Sequence, residues 1–409
     1  MKPRFYSLDI FRGATVCLMI LVNNPGSWSH IYPPLEHAPW HGLTPTDLVF
    51  PFFLFAVGNA LSFVMPGLEK GGTAVFWKKI VKRSLLIFAI GLFLTWWPFV
   101  KYSDGHLVVK PWSYIDDKGM PQGVRILGVL ARIAICYFFA AIIIYYLKVR
   151  GAFLAGLFLL LLYWVLCFTL GDPADPYSMT GWFGNEVDRS VLGLAHMYKG
   201  EGMPFDPEGI MSSLPAIVQV IFGYLVGYYI QKKGGFSVMK QNEADLALAR
   251  SKNFEMLSSL FVMGIAMLVT GYCWDKVFPI NKKIWTSSYV VYTTGLAILT
   301  IATMIYVVEL RGVKLWAGKF FDVFGKNALF VFALSAFLPK GLALLRFSNG
   351  VNGEGKTLYT DPWKFMYSNV YSKIPGDPRL GSLFFAITVI LFMWAVCWWM
   401  DRRRIYVKV

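Results

Sequence analysis

Charged residues are scarce in this chain. Asp, Glu, Lys and Arg together make up 15% of its 409 residues, well below the quarter usual in soluble domains. A disordered chain needs high charge and little hydrophobicity, so that class is excluded. Acids are the scarcer sign, 24 against 39 bases, for a net charge of +15. Such a surplus points to nucleic acid only when the bases form one face or tail, and here they punctuate apolar runs. Cysteine is rare as well. Cys17, Cys136, Cys167, Cys273 and Cys397 all fall in apolar segments without CxxC spacing, so they read as small packing residues and not as a disulfide or zinc framework. No Ser/Pro-rich linker divides the chain, and no internal repeat is visible.

Apolar side chains are abundant. They reach 56% before glycine is counted, above the 45–50% of soluble domains with glycine included. The expected fold class is therefore all-α: a polytopic membrane protein of about ten transmembrane helices in one bundle and one domain, since about 20 apolar residues cross the hydrocarbon layer. The spans read as Leu8 to Trp28, Asp47 to Met65, Ser84 to Val100, Ile126 to Leu147, Ala152 to Leu170, Ile210 to Ile230, Phe254 to Trp274, Thr286 to Val308, Phe321 to Leu338 and Ser382 to Met400. Two long loops remain, at 171–209 and 339–381. Asp9 and Arg12 break the first apolar run and no small-x-small site follows, so it is expected to be a retained helix and not a signal peptide. With the N-terminus inside, 21 of the 39 Lys and Arg fall on cytoplasmic segments and 15 on the longer outer ones. By the positive-inside rule both termini are expected in the cytoplasm, and all five histidines then lie outside.

Ionisable groups within apolar spans are costly and mark function by default. Asp9 and Arg12, three apart, read equally well as a self-paired anchor and as a grip on an anionic ligand. Arg132 lies two turns into the fourth span, where pairing with Asp47 or another acid and contact with a phosphate both stay open. The most informative stretch is VNNPGSWSHIYPPLEHAPWHGLTPTDLVFPFFLF, Val22 to Phe55. Asn23, Asn24, Pro25 and Gly26 end the first helix. Pro33, Pro34 and Pro39 then stiffen a loop carrying His37, Trp40 and His41, before Thr44 or Thr46 caps the next helix. His37 reads either as an interfacial residue in an aromatic belt or as a rigidly held base. The intervening Pro39 and the lack of a third ligand argue against a metal on His37 and His41, and none is expected.

SLDIFRG, VNNPG and HAPWHGLTPTDLVFPFFLF resemble the heparan-α-glucosaminide N-acetyltransferase family of transmembrane acyltransferases. RILGVLARIAICY, NEVDRSVLGLAHMY, FDPEGIMSSLPAI, NKKIWTSSYV and GKNALFVF follow in the same order. The resemblance implies a membrane bundle that moves an acetyl group from cytosolic acetyl-CoA to a glucosamine amine on the far side. It puts the catalytic histidine at His37, with Asn23 and Asp47 beside it. His37 is then either the general base or the acetyl carrier. It also implies a cell (inner) membrane protein, a homodimer, and a minimal ten-helix catalyst lacking the animal members' additional lumenal region and helix. Those members carry asparagine at the position of His41. Family-like spacing and seven acids against two bases in 171–209 make Asp188, Arg189 and His196 candidates for the sugar site, with Trp40 and His41 at its edge. Arg12, Arg132, Lys326 and Asn327 are the candidates for coenzyme A. O-acetylation of an envelope polysaccharide, and proton-coupled anion transport, are the alternative functions.

Overall fold

In this computed structural model, residues 6–103, 106–234, 243–313, 316–351, 353 and 357–407 are described. Lys2 and Arg4, and part of the basic segment between the sixth and seventh spans, fall outside them. The helices are α1 (Tyr6–Asn23), α2 (Val49–Lys70), α3 (Gly72–Trp96), α4 (Val129–Leu170), α5 (Gly184–Leu192), α6 (Ser213–Lys233), α7 (Glu243–Asp275), α8 (Ser287–Met304), α9 (Trp316–Lys326), α10 (Ala328–Leu342), α11 (Pro362–Asn369) and α12 (Pro378–Arg402). The all-α polytopic class holds. Among the described residues, seven helices are long and apolar enough to cross a membrane, or eight spans if one bent pair counts as a crossing.

The ten expected spans exceed that count by two, and both have a physical origin. Helix α4 has 42 residues; straight, it would be about 63 Å long, twice the hydrocarbon thickness. It is not straight. Lys148 has φ 57° and ψ −169°. On either side of it, the Arg132 guanidinium lies 5.1 Å from the Trp285 ring centroid, and the Tyr163 hydroxyl donates to the neighbouring Ile284 carbonyl. Both ends thus reach one loop, and α4 is a hairpin of two legs. The other difference is α3, whose first half carries Lys78, Lys79, Lys82 and Arg83 and is too polar to qualify as a span.

The bent pair corrects the ninth expected span. Helices α9 and α10 meet at Asn327 at 81°, so Phe321 to Leu338 is a broken segment and not one straight helix. Three exposed antiparallel hairpins add the only strands among the described residues: β1 (Val100–Ser103) with β2 (His106–Val109), β3 (Ser113–Ile115) with β4 (Pro121–Gly123), and β5 (Phe347–Val351) with β6 (Thr357–Thr360).

Helices α2 and α6 form the tightest crossing that bears on the site. Gly58 lies against the Val220 carbonyl and Gly223 against the Phe55 carbonyl, where any Cβ would collide with backbone. Small residues permit this approach, and it anchors α2, which directly follows the short turn carrying Asp47. All five cysteines are free. Asn23, His37 and Arg132 belong to one end of the bundle, called here the His37 face; Lys326 and the C-terminal tail belong to the other.

Candidate active site

The loop between α1 and α2 builds the site. Its prolines Pro33 and Pro34 start a 3-10 turn, and Thr44 precedes a second turn, Pro45–Leu48, that leads into α2. The carboxylate of Asp47 organises what lies between. Its Oδ2 accepts from the Ala38 and Thr44 amides and from the Thr44 hydroxyl, each at 3.1 Å. Its Oδ1 lies 2.7 Å from His37 Nδ1. From α8, the Tyr289 hydroxyl donates to the Asp47 carbonyl at 2.6 Å. A buried carboxylate with this many donors is a rigid base for an imidazole. With Nδ1–H directed at Asp47, Nε2 keeps its lone pair, and the His37 side chain remains 47% exposed.

A third member escaped sequence reasoning. Lys282 Nζ lies 3.4 Å from Asp47 Oδ1, 3.0 Å from His37 Nδ1 and 3.4 Å from His37 Nε2. Burial lowers the Lys282 ammonium from its ordinary value, against the opposing pull of Asp47 and Glu208. Its one sequence signal was the NKK run in the loop before α8, 245 positions from His37. Nothing in the local pattern ties that run to a histidine so distant.

His37, Asp47, Lys282 and Asn23 line a cavity of about 240 Å³. Phe50, Phe53 and Phe332 line its apolar part. Trp40 is at the edge: its indole N–H donates to the Tyr177 carbonyl at 2.8 Å, and its ring meets Phe205 edge-on at 5.5 Å. His41 is outside the lining. It contacts Asn281 at 3.3 Å, and burial holds its imidazole below the ordinary value despite Asp175 and Asp275. Among the described residues no group of His, Cys, Asp and Glu suits a metal ion.

The acidic loop 171–209 does reach the cavity, through Tyr198, Glu201 and Glu208. Glu201 pairs with Lys283, and Glu208 shares the Arg125 guanidinium with buried Asp206. Burial opposes charge on Arg125, yet the two carboxylates raise its pKa above the ordinary value. Asp188, Arg189 and His196 lie apart from this lining. Asp188 is fully buried and accepts the Ile210 amide at 2.7 Å; burial pushes its carboxyl up to about 7. Arg189 pairs with Glu186 at 3.1 Å. His196 Nδ1 meets the Val124 carbonyl at 2.7 Å, and its ring lies 4.9 Å from that of Trp112.

The four coenzyme A candidates also separate. Arg132 is buried and donates to the Gly209 carbonyl at 3.1 Å and to the Ser212 hydroxyl, so the acid partner considered from sequence is replaced by neutral acceptors. Arg12 pairs with Asp9. Lys326 sits between Asp322 at 2.7 Å and Asp401 at 3.0 Å. Asn327 holds the tail through the Ile405 carbonyl at 3.1 Å and the Val407 amide at 2.9 Å.

The human heparan-alpha-glucosaminide N-acetyltransferase is 27% identical over 81% of this chain and 52% of its own length. The mouse protein of the same name is 26% identical over 80% of this chain and 53% of its own. The chain is similar to both over about four fifths of its length. It spans about half the length of these curated relatives. No protein-family model matches it.

Proposed function

We propose that the chain is a membrane acetyltransferase that moves an acetyl group from cytosolic acetyl-CoA to the amine of an extracytoplasmic glucosamine-type sugar. The observation that carries this reading is the His37, Asp47 and Lys282 constellation on a cavity wall. An ammonium acceptor must lose a proton before it attacks a thioester, and an imidazole with one nitrogen fixed by a carboxylate suits that task. Asp47 sets the tautomer, Nε2 takes the proton, the amine attacks the acetyl carbonyl, and the carbon–sulfur bond breaks. In the other route Nε2 attacks the thioester first, the coenzyme A thiolate leaves, and the amine then takes the acetyl group from the imidazole. Lys282 and Asn23 donate to the acetyl oxygen as negative charge develops there.

Glu201 and Glu208 line the cavity beside their partners Lys283 and Arg125 and supply acceptors for an ammonium group, and Trp40 offers an aromatic face to the sugar. Of the cations considered for the coenzyme A phosphates, Arg12 is favoured, because Lys326 is already matched by two carboxylates. Both termini are assigned to the cytoplasm, in the cell (inner) membrane, and the working unit is a homodimer.

The test uses purified protein with labelled acetyl-CoA and a panel of amino sugars and α-glucosaminides. Transfer to an amine is the expected result. Intact acetyl-CoA binding with label only on hydroxyl groups would replace the N-acetyl reading by the O-acetyl one, and absence of binding would remove the enzyme reading.

A further inference from the structure

A second cavity, separate from the His37 site, lies between the second leg of α4 and helices α6, α7 and α8, and has a volume of about 1000 Å³. It arises because α7 leans on α8 and scarcely touches α6, leaving a gap that the α4 leg flanks from the other side. Its walls are apolar: Phe153, Leu157 and Leu161 from α4 face Phe222 from α6 and Met263 and Met267 from α7. Phe153, Leu157 and Leu161 are more than a third exposed. The α4 wall runs from Val149 to Leu161, which at 1.5 Å per residue is about 18 Å, roughly the depth of one leaflet.

One end of this groove is chemically distinct. Arg150, Lys232 and Lys233 line it on the face opposite His37, and no acid is among its lining residues. All three are exposed, and among the described residues none takes part in an ion pair. Three unmatched cations above a leaflet-deep apolar slot match one kind of occupant: an anionic headgroup with acyl chains below it. Like charges at the rim also disfavour a second copy of this chain presenting the same end.

We propose that this groove binds an anionic glycerophospholipid from the leaflet on the Lys326 face, its phosphate held by Arg150, Lys232 and Lys233 and its chains lying along α4 and α7. The site is independent of the acetyl-transfer reading. Native mass spectrometry of the full chain, released from nanodiscs containing equal phosphatidylglycerol and phosphatidylcholine, tests it. The expected result is at least a tenfold preference for retained phosphatidylglycerol. R150Q/K232Q/K233Q should reduce that preference to about onefold, while Leu157→Trp, which fills the slot and leaves the cations, should displace lipid of both kinds. Equal retention of the two lipids by the unaltered chain would overturn the proposal, as would a preference surviving the triple substitution. So would a Leu157→Trp chain that keeps its lipid, or one that loses instead a dimer present in the unaltered chain. Unchanged melting temperature in lipid-free detergent checks that each variant is folded.

Discussion

Two regions on the His37 face contain the same residue types and use them differently. In one, His37 meets Asp47 and Lys282 on the wall of a cavity, and Nε2 is left free of the carboxylate. In the other, His196 gives Nδ1 to a backbone carbonyl, Arg189 pairs along its own helix, and Asp188 is sealed around the Ile210 amide. Composition does not separate them. What does is whether a polar group still has capacity directed into a space that a substrate can enter. In the first region a buried carboxylate fixes an imidazole beside a cavity; in the second burial ties one loop to another.

The comparison breaks first at His37. His37→Ala should lower the acetyl-transfer rate about 10³-fold, within the range for a positioned base, while acetyl-CoA binding stays within about twofold; His196→Ala should leave the rate within about threefold. Radiolabel transfer measured on both variants checks this, and equal losses would erase the distinction. Asp47→Asn keeps the shape and removes the carboxylate that sets the tautomer, so a fall of about 10²- to 10³-fold is expected, read as kcat with substrate KM little changed. Lys282→Met should cost about 10²-fold in kcat, the scale of a lost oxyanion donor. A rise in acceptor KM with kcat unchanged would instead make Lys282 a sugar-binding group.

The smallest effect concerns Asp188 and appears in stability. Burial raises its carboxyl to about 7 in the folded chain, against about 4 when unfolded. Below pH 4 both states hold the proton. From about pH 4 to 7 the unfolded chain ionises while the folded chain retains it, so stability falls with rising pH and then levels off. Asp188→Asn should remove this contribution, narrowing the difference in melting temperature between pH 5 and pH 8 with transfer nearly unchanged. A melting difference as large as that of the unaltered chain would show that Asp188 is not the group responsible.

Much of the bundle was legible because apolar length is a local property. The limits were equally physical. Hydropathy treats Lys148 as a short polar gap and gives no sign that its backbone turns α4 back on itself. It also runs through Asn327, where the 81° break between α9 and α10 lies. The loop with His37 stood out through its prolines and its crowding of histidine and tryptophan. Lys282 did not, because its significance exists only once α8 returns its leading loop to the His37 face. Likewise the acidic loop 171–209 was visible by composition, but which of its acids face the cavity depends on how α5 is seated.

The central claim is that His37 Nε2 is the group that meets the thioester. A structure of the chain with a non-hydrolysable acetyl-CoA analogue tests it most directly. The account predicts the acetyl carbonyl carbon, or a proton-bearing acceptor nitrogen beside it, within about 3 to 3.5 Å of Nε2, with Lys282 near the carbonyl oxygen. An analogue whose acetyl group is seated away from this cavity, with His37 still bound only to Asp47 and Lys282, would contradict it.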